Sequence, residues 1–310
     1  MANMMATREA YGEALKELGG KNKDVVVLDA DLSGSTKTAV FKKEYPERFF
    51  NVGIAEQSLM GTAAGLATTG KIPFASTFAM FAAGRAFEII RNSICYPKLN
   101  VKVAATHAGL TVGEDGATHQ AIEDISIMRS IPNMVVLNPA DGVETRQCIM
   151  KAAEYNGPVY IRLGRSKVPV IFDDNYNFEI GKGVELKSGK DVTIIATGIM
   201  VAKALEASEA LEAEGISARV INISTIKPID KDIIIKAAKE TKGIVTAEEH
   251  SIIGGLGSAV AEVIVENCPV PMMRVGVEDT FGESGTGESV LEKYGLTSEN
   301  IVNNVKRILK

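Results

Sequence analysis

The alternation of short β-branched runs with helix-length amphipathic segments most constrains the fold of this chain. Runs at 25–28, 72–75, 101–105, 135–137 and 159–163 predict strands. The segments between them carry apolar residues at three- and four-residue spacing, which predicts helices at 7–18, 57–68, 81–95, 120–129 and 140–155. Strands that alternate with helices form a parallel sheet covered on both faces, so the first half is predicted to be a doubly wound α/β domain.

The same pattern restarts after a polar, glycine-containing stretch. Asp173-Asp174-Asn175 and the glycines at 181, 183 and 189 are typical of a connector. Beyond it we expect strands at 192–196, 218–223, 243–247 and 272–277 and helices at 201–214, 230–240, 256–266 and 299–309. The sequence therefore predicts two doubly wound α/β domains, 1–168 and a smaller one at 190–310, joined by a linker at 169–189.

Composition excludes several classes of partner and site. The net charge is -5 with intermixed signs, which argues against nucleic acid or an anionic membrane surface as a partner. We find neither a signal peptide nor a membrane-length apolar stretch, and the expected location is the cytoplasm. The three cysteines have no CxxC spacing, so neither disulfides nor zinc are expected.

Ligands of doubly wound sheets bind beyond the carboxyl ends of the strands, so we expect ligand-binding and catalytic residues in the loops that follow the strands. The loop 29–36 is rich in Asp, Ser and Gly, and Glu56 precedes a helix of small residues. Phe74, Phe78 and Phe81 form a local aromatic cluster. The sequence alone favours a non-functional explanation for each of the three. The loop 29–36 would be a simple turn, Glu56 a carboxylate stabilised by the helix dipole, and the phenylalanines ordinary core residues.

The loop 106–120 is the most informative, because it holds His107, Glu114, Asp115 and His119 among three glycines. Histidines can donate hydrogen bonds, relay protons and balance charge, and Asp115 could orient a hydroxyl group. A structural role for either histidine is equally compatible with the pattern. Two arginines, 162 and 165, end the last strand of the first domain and suit either phosphate binding or an ordinary ion pair.

These motifs, taken in order, resemble those of a known family. Its pyrimidine-binding domain is matched over residues 1 to about 170 by Ala6-Thr7-Arg8, Asp31-Leu32-Ser33-Gly34-Ser35, 53–57, 77–81, 107–120 and 163–165. The family is the transketolases, which use thiamine diphosphate. A weaker resemblance to their C-terminal domain, usually regarded as structural, follows at 197–198, 227–230 and 248–250, and we assign that domain no catalytic role.

The resemblance implies roles for individual residues. Glu56 would hydrogen-bond N1′ of the cofactor's aminopyrimidine and thereby promote loss of the thiazolium C2 proton. The other implied roles are Phe78, Phe81 and Asp31 for cofactor binding, His107 and His119 for catalysis and substrate binding, Asp115 for the donor's C2 hydroxyl, and Arg8, Ser35 and Arg165 for the sugar phosphate. Gly84 stands where a third pocket aromatic is common, so part of that wall could differ.

One part of the family pattern is missing, since the chain has no Gly-Asp-Gly segment of the kind that binds magnesium and the diphosphate. The resemblance therefore implies that Mg²⁺ ligands come from a separate N-terminal subunit, in an assembly of two subunits of each kind, as in a natural two-gene transketolase. A truncated longer protein is the alternative. The competing assignments are the β subunit of a 2-oxo-acid dehydrogenase, 1-deoxyxylulose-5-phosphate synthase and a non-catalytic paralogue; the loop 112–120 with the phosphate-directed residues favours transketolase.

Overall fold

The computed structural model describes residues 3–173 and 175–310. Met1, Ala2 and Asp174 lie outside the described residues, and with them the start of the chain and the middle of the Asp173-Asp174-Asn175 motif. The strands are β1 (Met4–Ala6), β2 (Val25–Asp29), β3 (Phe49–Asn51), β4 (Ile72–Phe78), β5 (Lys102–Thr106), β6 (Val135–Leu137), β7 (Val159–Arg162), β8 (Lys167–Pro169), β9 (Val184–Lys187), β10 (Val192–Ala196), β11 (Ala218–Asn222), β12 (Thr225–Lys227), β13 (Ile244–Ser251) and β14 (Met272–Val277). The helices are α1 (Thr7–Lys21), α2 (Ser33–Thr36), α3 (Ala39–Glu44), α4 (Glu56–Thr68), α5 (Phe87–Ile89), α6 (Asp124–Ser130), α7 (Gly142–Glu154), α8 (Met200–Ala213), α9 (Lys231–Glu240), α10 (Leu256–Asn267), α11 (Gly287–Lys293) and α12 (Ser298–Leu309).

The predicted α/β architecture is confirmed. The first sheet has the order β12-β6-β7-β5-β4-β2-β3, and all its strands except β12 run parallel. The second has the order β14-β13-β10-β11-β9, and only β9 pairs antiparallel. β2, β5 and β10 are buried along their whole length, because helices cover both faces.

Five short strands, β1, β3, β8, β9 and β12, were not predicted. β9 lies inside the predicted linker 169–189 and pairs with β11, so the second sheet begins before residue 190. β12 belongs to the predicted second domain but pairs with β6 at the edge of the first sheet. Both are three or four residues long and lie at a sheet edge, where partial exposure permits polar side chains and weakens the apolar pattern.

The predicted helix 81–95 is interrupted. It consists of a π-helical turn at Phe81–Arg85, the α-helical turn α5, and a second π-helical turn at Ile90–Cys95. Such turns are rare, and they occur frequently at functional sites. The predicted helix 120–129 begins only at Asp124, since residues 120–123 continue the preceding loop. The short helices α2, α3 and α11 were not predicted, and α2 lies within the predicted loop 29–36. For α11, the surrounding glycines hide its short apolar pattern.

The two halves share buried contacts. Arg162 Nε lies 2.9 Å from Asp124 Oδ2, and Nη2 donates to Glu249 O in the second half at 2.9 Å. Tyr160 Oη also donates to Asp124 Oδ2, at 2.7 Å. Of the two alternatives left open for Arg162, the structure therefore shows the ion pair and not a residue free to contact phosphate. Within the described ranges no helix is both long and apolar enough to span a bilayer.

Candidate functional site

The predicted site residues follow the carboxyl ends of strands in the first sheet. Phe78 is the last residue of β4, His107 follows β5, and Arg165 follows β7. Because parallel strands end at the same edge, these loops meet there. The site is therefore built from segments that are far apart in the sequence, as the positions of the strand ends predicted.

Glu56 is the first residue of α4 and is only 4% exposed. Both carboxylate oxygens accept hydrogen bonds from Arg85 Nη1, at 3.2 and 3.3 Å. The Arg85 guanidinium carbon also lies 4.2 Å from the centre of the Phe81 ring. A planar group with N–H donors thus sits between the carboxylate and the aromatic face.

Sequence reasoning missed Arg85. It ends the π-helical turn that begins at Phe81, and this turn returns its side chain towards the Phe81 ring and Glu56. A Cβ at Gly84 would meet only Met80 Cε, at 3.3 Å, so residue 84 contributes nothing to the aromatic wall. The available signal was an arginine directly after Gly84, the position at which the resemblance leads one to expect a third aromatic.

Two phenylalanines and two histidines form one continuous wall. The Phe78 ring stacks on Phe81 at 5.8 Å and on His107 at 3.9 Å between ring centres. His119 meets the Phe81 ring edge-on at 5.4 Å. The aromatic motif and the histidine loop, which were separate in the sequence, are brought together here. Phe74 lies elsewhere, buried in the core beside Tyr11.

His107 is buried and neutral. Its Nε2 lies 3.1 Å from Arg8 Nη1, and because a guanidinium can only donate, Nε2 must be the acceptor. The ring proton is therefore on Nδ1, which donates to Thr106 Oγ1 at 2.9 Å. Burial, with the nearby cations Arg8 and Arg165, lowers the His107 pKa to about 3. His107 thus cannot balance the charge of an anion in this state; it orients Arg8.

Arg8 connects this wall to the loop after β2. Its Nη1 donates to Ser35 O at 2.9 Å, which places Arg8 and Ser35 together as predicted for one binding site. Burial, followed by the charge of Arg165, lowers the pKa of Arg8. Asp29 fixes the loop, since its Oδ2 accepts hydrogen bonds from two threonine hydroxyls, Thr36 and Thr38. Two arginines close enough to repel each other are suited to an anion between them.

Asp31 and Asp115 lie at the more exposed parts of the cluster. Asp31 adopts a left-handed backbone conformation with φ of 65°, and its Oδ1 accepts from Asn51 Nδ2 at 2.8 Å. Asp115 Oδ2 lies 3.9 Å from Arg165 Nη1. Arg165 also donates to Glu114 Oε2 at 3.2 Å. In this state Arg165 therefore already faces two carboxylates, which an incoming phosphate would have to displace.

The donor set fits the pyrimidine end of thiamine diphosphate. The Arg85 guanidinium is a flat group with N–H donors, and it donates to Glu56 while lying over the Phe81 ring. An aminopyrimidine offers the same combination of an aromatic plane and polar ring-edge atoms. For the metal, no group of three or more His, Cys, Asp or Glu side chains within residues 3–173 and 175–310 is placed to hold an ion.

Comparison with known proteins identifies the family. Family models match the transketolase pyrimidine-binding domain at residues 3–170 and the transketolase C-terminal domain at 181–301. A protein named as a transketolase C-terminal section in Methanocaldococcus jannaschii is 57% identical over 306 residues, covering 98% of this chain and 96% of that protein. A 6-deoxy-6-sulfo-D-fructose transketolase subunit of a Clostridium species is 46% identical, covering 95% and 92%. An apulose-4-phosphate transketolase subunit of Phocaeicola vulgatus is 39% identical, covering 99% of both chains.

Solved structures give the same result. A split-gene transketolase, described as an inactive β4 tetramer, superposes with a TM-score of 0.93 at 64% identity and covers 98% of both chains. Transketolase from Campylobacter jejuni gives a TM-score of 0.86 at 25% identity, and here the chain matches 47% of the longer protein. The predicted resemblance is confirmed: the chain belongs to the transketolase family, and it carries that family's pyrimidine-binding domain followed by its C-terminal domain.

Proposed function

We propose that this chain is the C-terminal subunit of a thiamine-diphosphate-dependent transketolase, which transfers a two-carbon ketol unit from a ketose phosphate to an aldose phosphate. One observation carries the proposal: Glu56, the Phe78–Phe81 wall, both loop histidines and the Arg8–Arg165 pair form one connected cluster at a sheet edge. Relatives named as sulfofructose and apulose-phosphate transketolase subunits support the ketose substrate class.

Each side chain has a distinct task in this proposal. The cofactor, when bound, supplies an electron sink for the cleaved carbon–carbon bond. Glu56 holds a proton at the pyrimidine N1′, and its burial keeps water from competing for that proton. His119, half-buried at the edge of the Phe81 ring, is placed to exchange protons with the substrate's oxygens. Arg8 and Arg165 bind the phosphate, and neutral His107 keeps Arg8 in place.

The proposal requires a partner chain. We propose that an N-terminal transketolase subunit supplies the Mg²⁺ ligands and the diphosphate site, in an α2β2 assembly with the active site between unlike subunits. The relative described as an inactive β4 tetramer supports the view that such chains do not work alone. The expected location in the cytoplasm stays a prediction.

The decisive assay measures ketol transfer from xylulose 5-phosphate to ribose 5-phosphate with thiamine diphosphate and Mg²⁺. Three samples are compared: this chain, an N-terminal transketolase subunit, and their mixture, with complex formation verified by size-exclusion chromatography. We expect turnover only in the mixture. A complex that forms but transfers no ketol unit would exclude this reaction and favour a non-catalytic paralogue.

Glu56→Ala tests the chemical assignment in the same assembly. We expect loss of turnover with an unchanged elution profile, because the side chain contributes a proton-sharing group at the site. Glu88→Ala is the matched control, since Glu88 is an exposed carboxylate whose Oε1 accepts from Asn92 in the neighbouring helical segment. Near-normal turnover of Glu56→Ala would refute the mechanism.

A further inference from the structure

The loop that carries both site histidines is held by the C-terminal half of the chain. Glu249 lies in β13 of the second sheet, is 4% exposed, and accepts a hydrogen bond from the backbone N–H of Thr111 at 2.6 Å through Oε1. Thr111 stands between His107 and His119 in sequence. Burial raises the pKa of Glu249, and the carboxyl oxygen accepts this hydrogen bond in either protonation state. Losing a buried hydrogen bond of this kind leaves the Thr111 N–H without its acceptor, which is costly.

The backbone of the loop is shaped around this carboxylate. Gly109 has a φ of 81°, and a Cβ built there would lie 2.3 Å from Glu249 Cδ. The backbone of Glu249 is fixed as well, because its carbonyl accepts from Arg162 Nη2 at 2.9 Å. The absence of a side chain at Gly109 therefore allows the Glu249 carboxyl group to approach the loop closely, and Arg162 holds the backbone of Glu249 in place.

A second contact from the C-terminal half reaches the far end of the loop. Gln120 Nε2 donates to Glu283 O at 2.9 Å and to Leu110 O at 3.0 Å. A Cβ at Gly116 would lie 2.5 Å from Ser284 Oγ, so this turn also packs directly against that half. The C-terminal half thus contacts the loop at Thr111 and again at Gln120, and the Thr111 contact is made by a buried carboxyl group.

We propose that Glu249 is a positioning residue for ketol transfer: through the Thr111 N–H it sets the 107–120 loop, and hence Asp115 and His119, relative to the pyrimidine pocket. The inference rests on the proposed function for its kinetic consequence only. It gives the C-terminal domain a part in the site, where the sequence assigned none.

The neighbouring residue Glu248 provides a matched control. It is fully buried like Glu249, but because side chains alternate along a strand it points to the other face of β13. Its oxygens accept from Leu256 N at 2.7 Å and Gly257 N at 2.8 Å, both at the start of α10 in the same domain. Removing either carboxylate empties a comparable buried site, while only Glu249 contacts the loop.

The first test is amide hydrogen exchange of this chain without cofactor or partner. In the wild type, the Thr111 amide should be protected to about the same degree as the Leu256 amide, and far more than those of 114–118. Glu249→Ala should accelerate exchange at 109–113, Glu249→Gln should restore most of the protection because an acceptor oxygen remains, and Glu248→Ala should leave the loop unchanged. A Thr111 amide that exchanges as fast as 114–118 in the wild type would overturn the proposal without any variant.

The second test uses the assembled enzyme. Glu249→Ala should raise KM for the ketose phosphate about tenfold, the effect of leaving one buried hydrogen-bond donor without its acceptor. The Kd for thiamine diphosphate should stay within about twofold of the wild type, as Glu56 lies outside the loop. Equal KM changes for Glu248→Ala and Glu249→Ala would show that Glu249 has only a structural role and would overturn the proposal. An assembly without ketol transfer would refute the proposed function and leave the exchange result intact.

Discussion

Replacing Arg85 with alanine should tighten cofactor binding. Arg85 holds the Glu56 carboxylate and covers the Phe81 ring, which are the two groups assigned to the pyrimidine. Its side chain is 54% exposed, so the ion pair with Glu56 contributes about 0.2–1 kcal/mol and the cation–π contact about 0.5–1 kcal/mol. The pyrimidine must replace about 1 kcal/mol of existing contacts, which corresponds to about fivefold in affinity.

The assay is calorimetric titration of thiamine diphosphate into the assembled enzyme at saturating Mg²⁺. The control is Arg91→Ala, because Arg91 is an exposed arginine in the same segment that donates to Asn92 Oδ1 and not to Glu56. It removes the same charge from the region, and with it any long-range attraction for the diphosphate. Arg85→Ala should bind about fivefold more tightly than Arg91→Ala. Weaker binding would refute the reasoning, since it would show that Arg85 holds the cofactor instead of competing with it.

Two further predictions concern the phosphate site and the pH dependence of stability. Arg165→Ala should raise KM about tenfold or more for phosphorylated sugars and about twofold at most for unphosphorylated ones, since a charge-assisted bond to phosphate is lost. Equal effects on both kinds of sugar would contradict the assignment of Arg165 to phosphate binding. Burial raises the Glu144 pKa to about 7 in the folded chain. Stabilisation from this protonated group is therefore present at low pH and lost as pH rises towards and through 7. In urea unfolding, Glu144→Gln should become more stable relative to the wild type between pH 5 and pH 8; a constant difference would contradict this.

Most strands and helices of the two large sheets could be predicted because their apolar patterns are long. The central strands are buried on both faces, and α4, α8 and α10 differ from the predicted ranges by at most one residue at either end. The edge strands β3, β9 and β12 could not be predicted, because whether a three- or four-residue run forms an edge strand depends on a neighbour elsewhere in the sequence. The two π-helical turns were not predicted, because the apolar periodicity of 81–95 does not distinguish a π-helical from an α-helical turn.

The site could be predicted in its components but not in its connections. Strand ends correctly indicated where Phe78, His107 and Arg165 would meet, because sheet topology decides that. The neutral state of His107 depends on its burial and on Arg8, 99 positions away in sequence, and neither is visible in the loop itself. Likewise Arg162 and Arg165, equivalent as sequence features, differ in the fold because one faces buried Asp124 and the other the loop carboxylates.

Glu248-Glu249-His250 shows how more could have been inferred. All three residues are buried in β13, a strand that is otherwise apolar at its start. Buried polar side chains need partners, so three in succession within a strand predict contacts on both of its faces. The structure provides them: Glu248 accepts from the start of α10, Glu249 from the 107–120 loop, and His250 Nε2 from Ser126 N in α6 at 3.3 Å. Two of these three contacts cross to the pyrimidine-binding half, so this motif is better understood as a link between the domains than as a mark of the C-terminal fold alone.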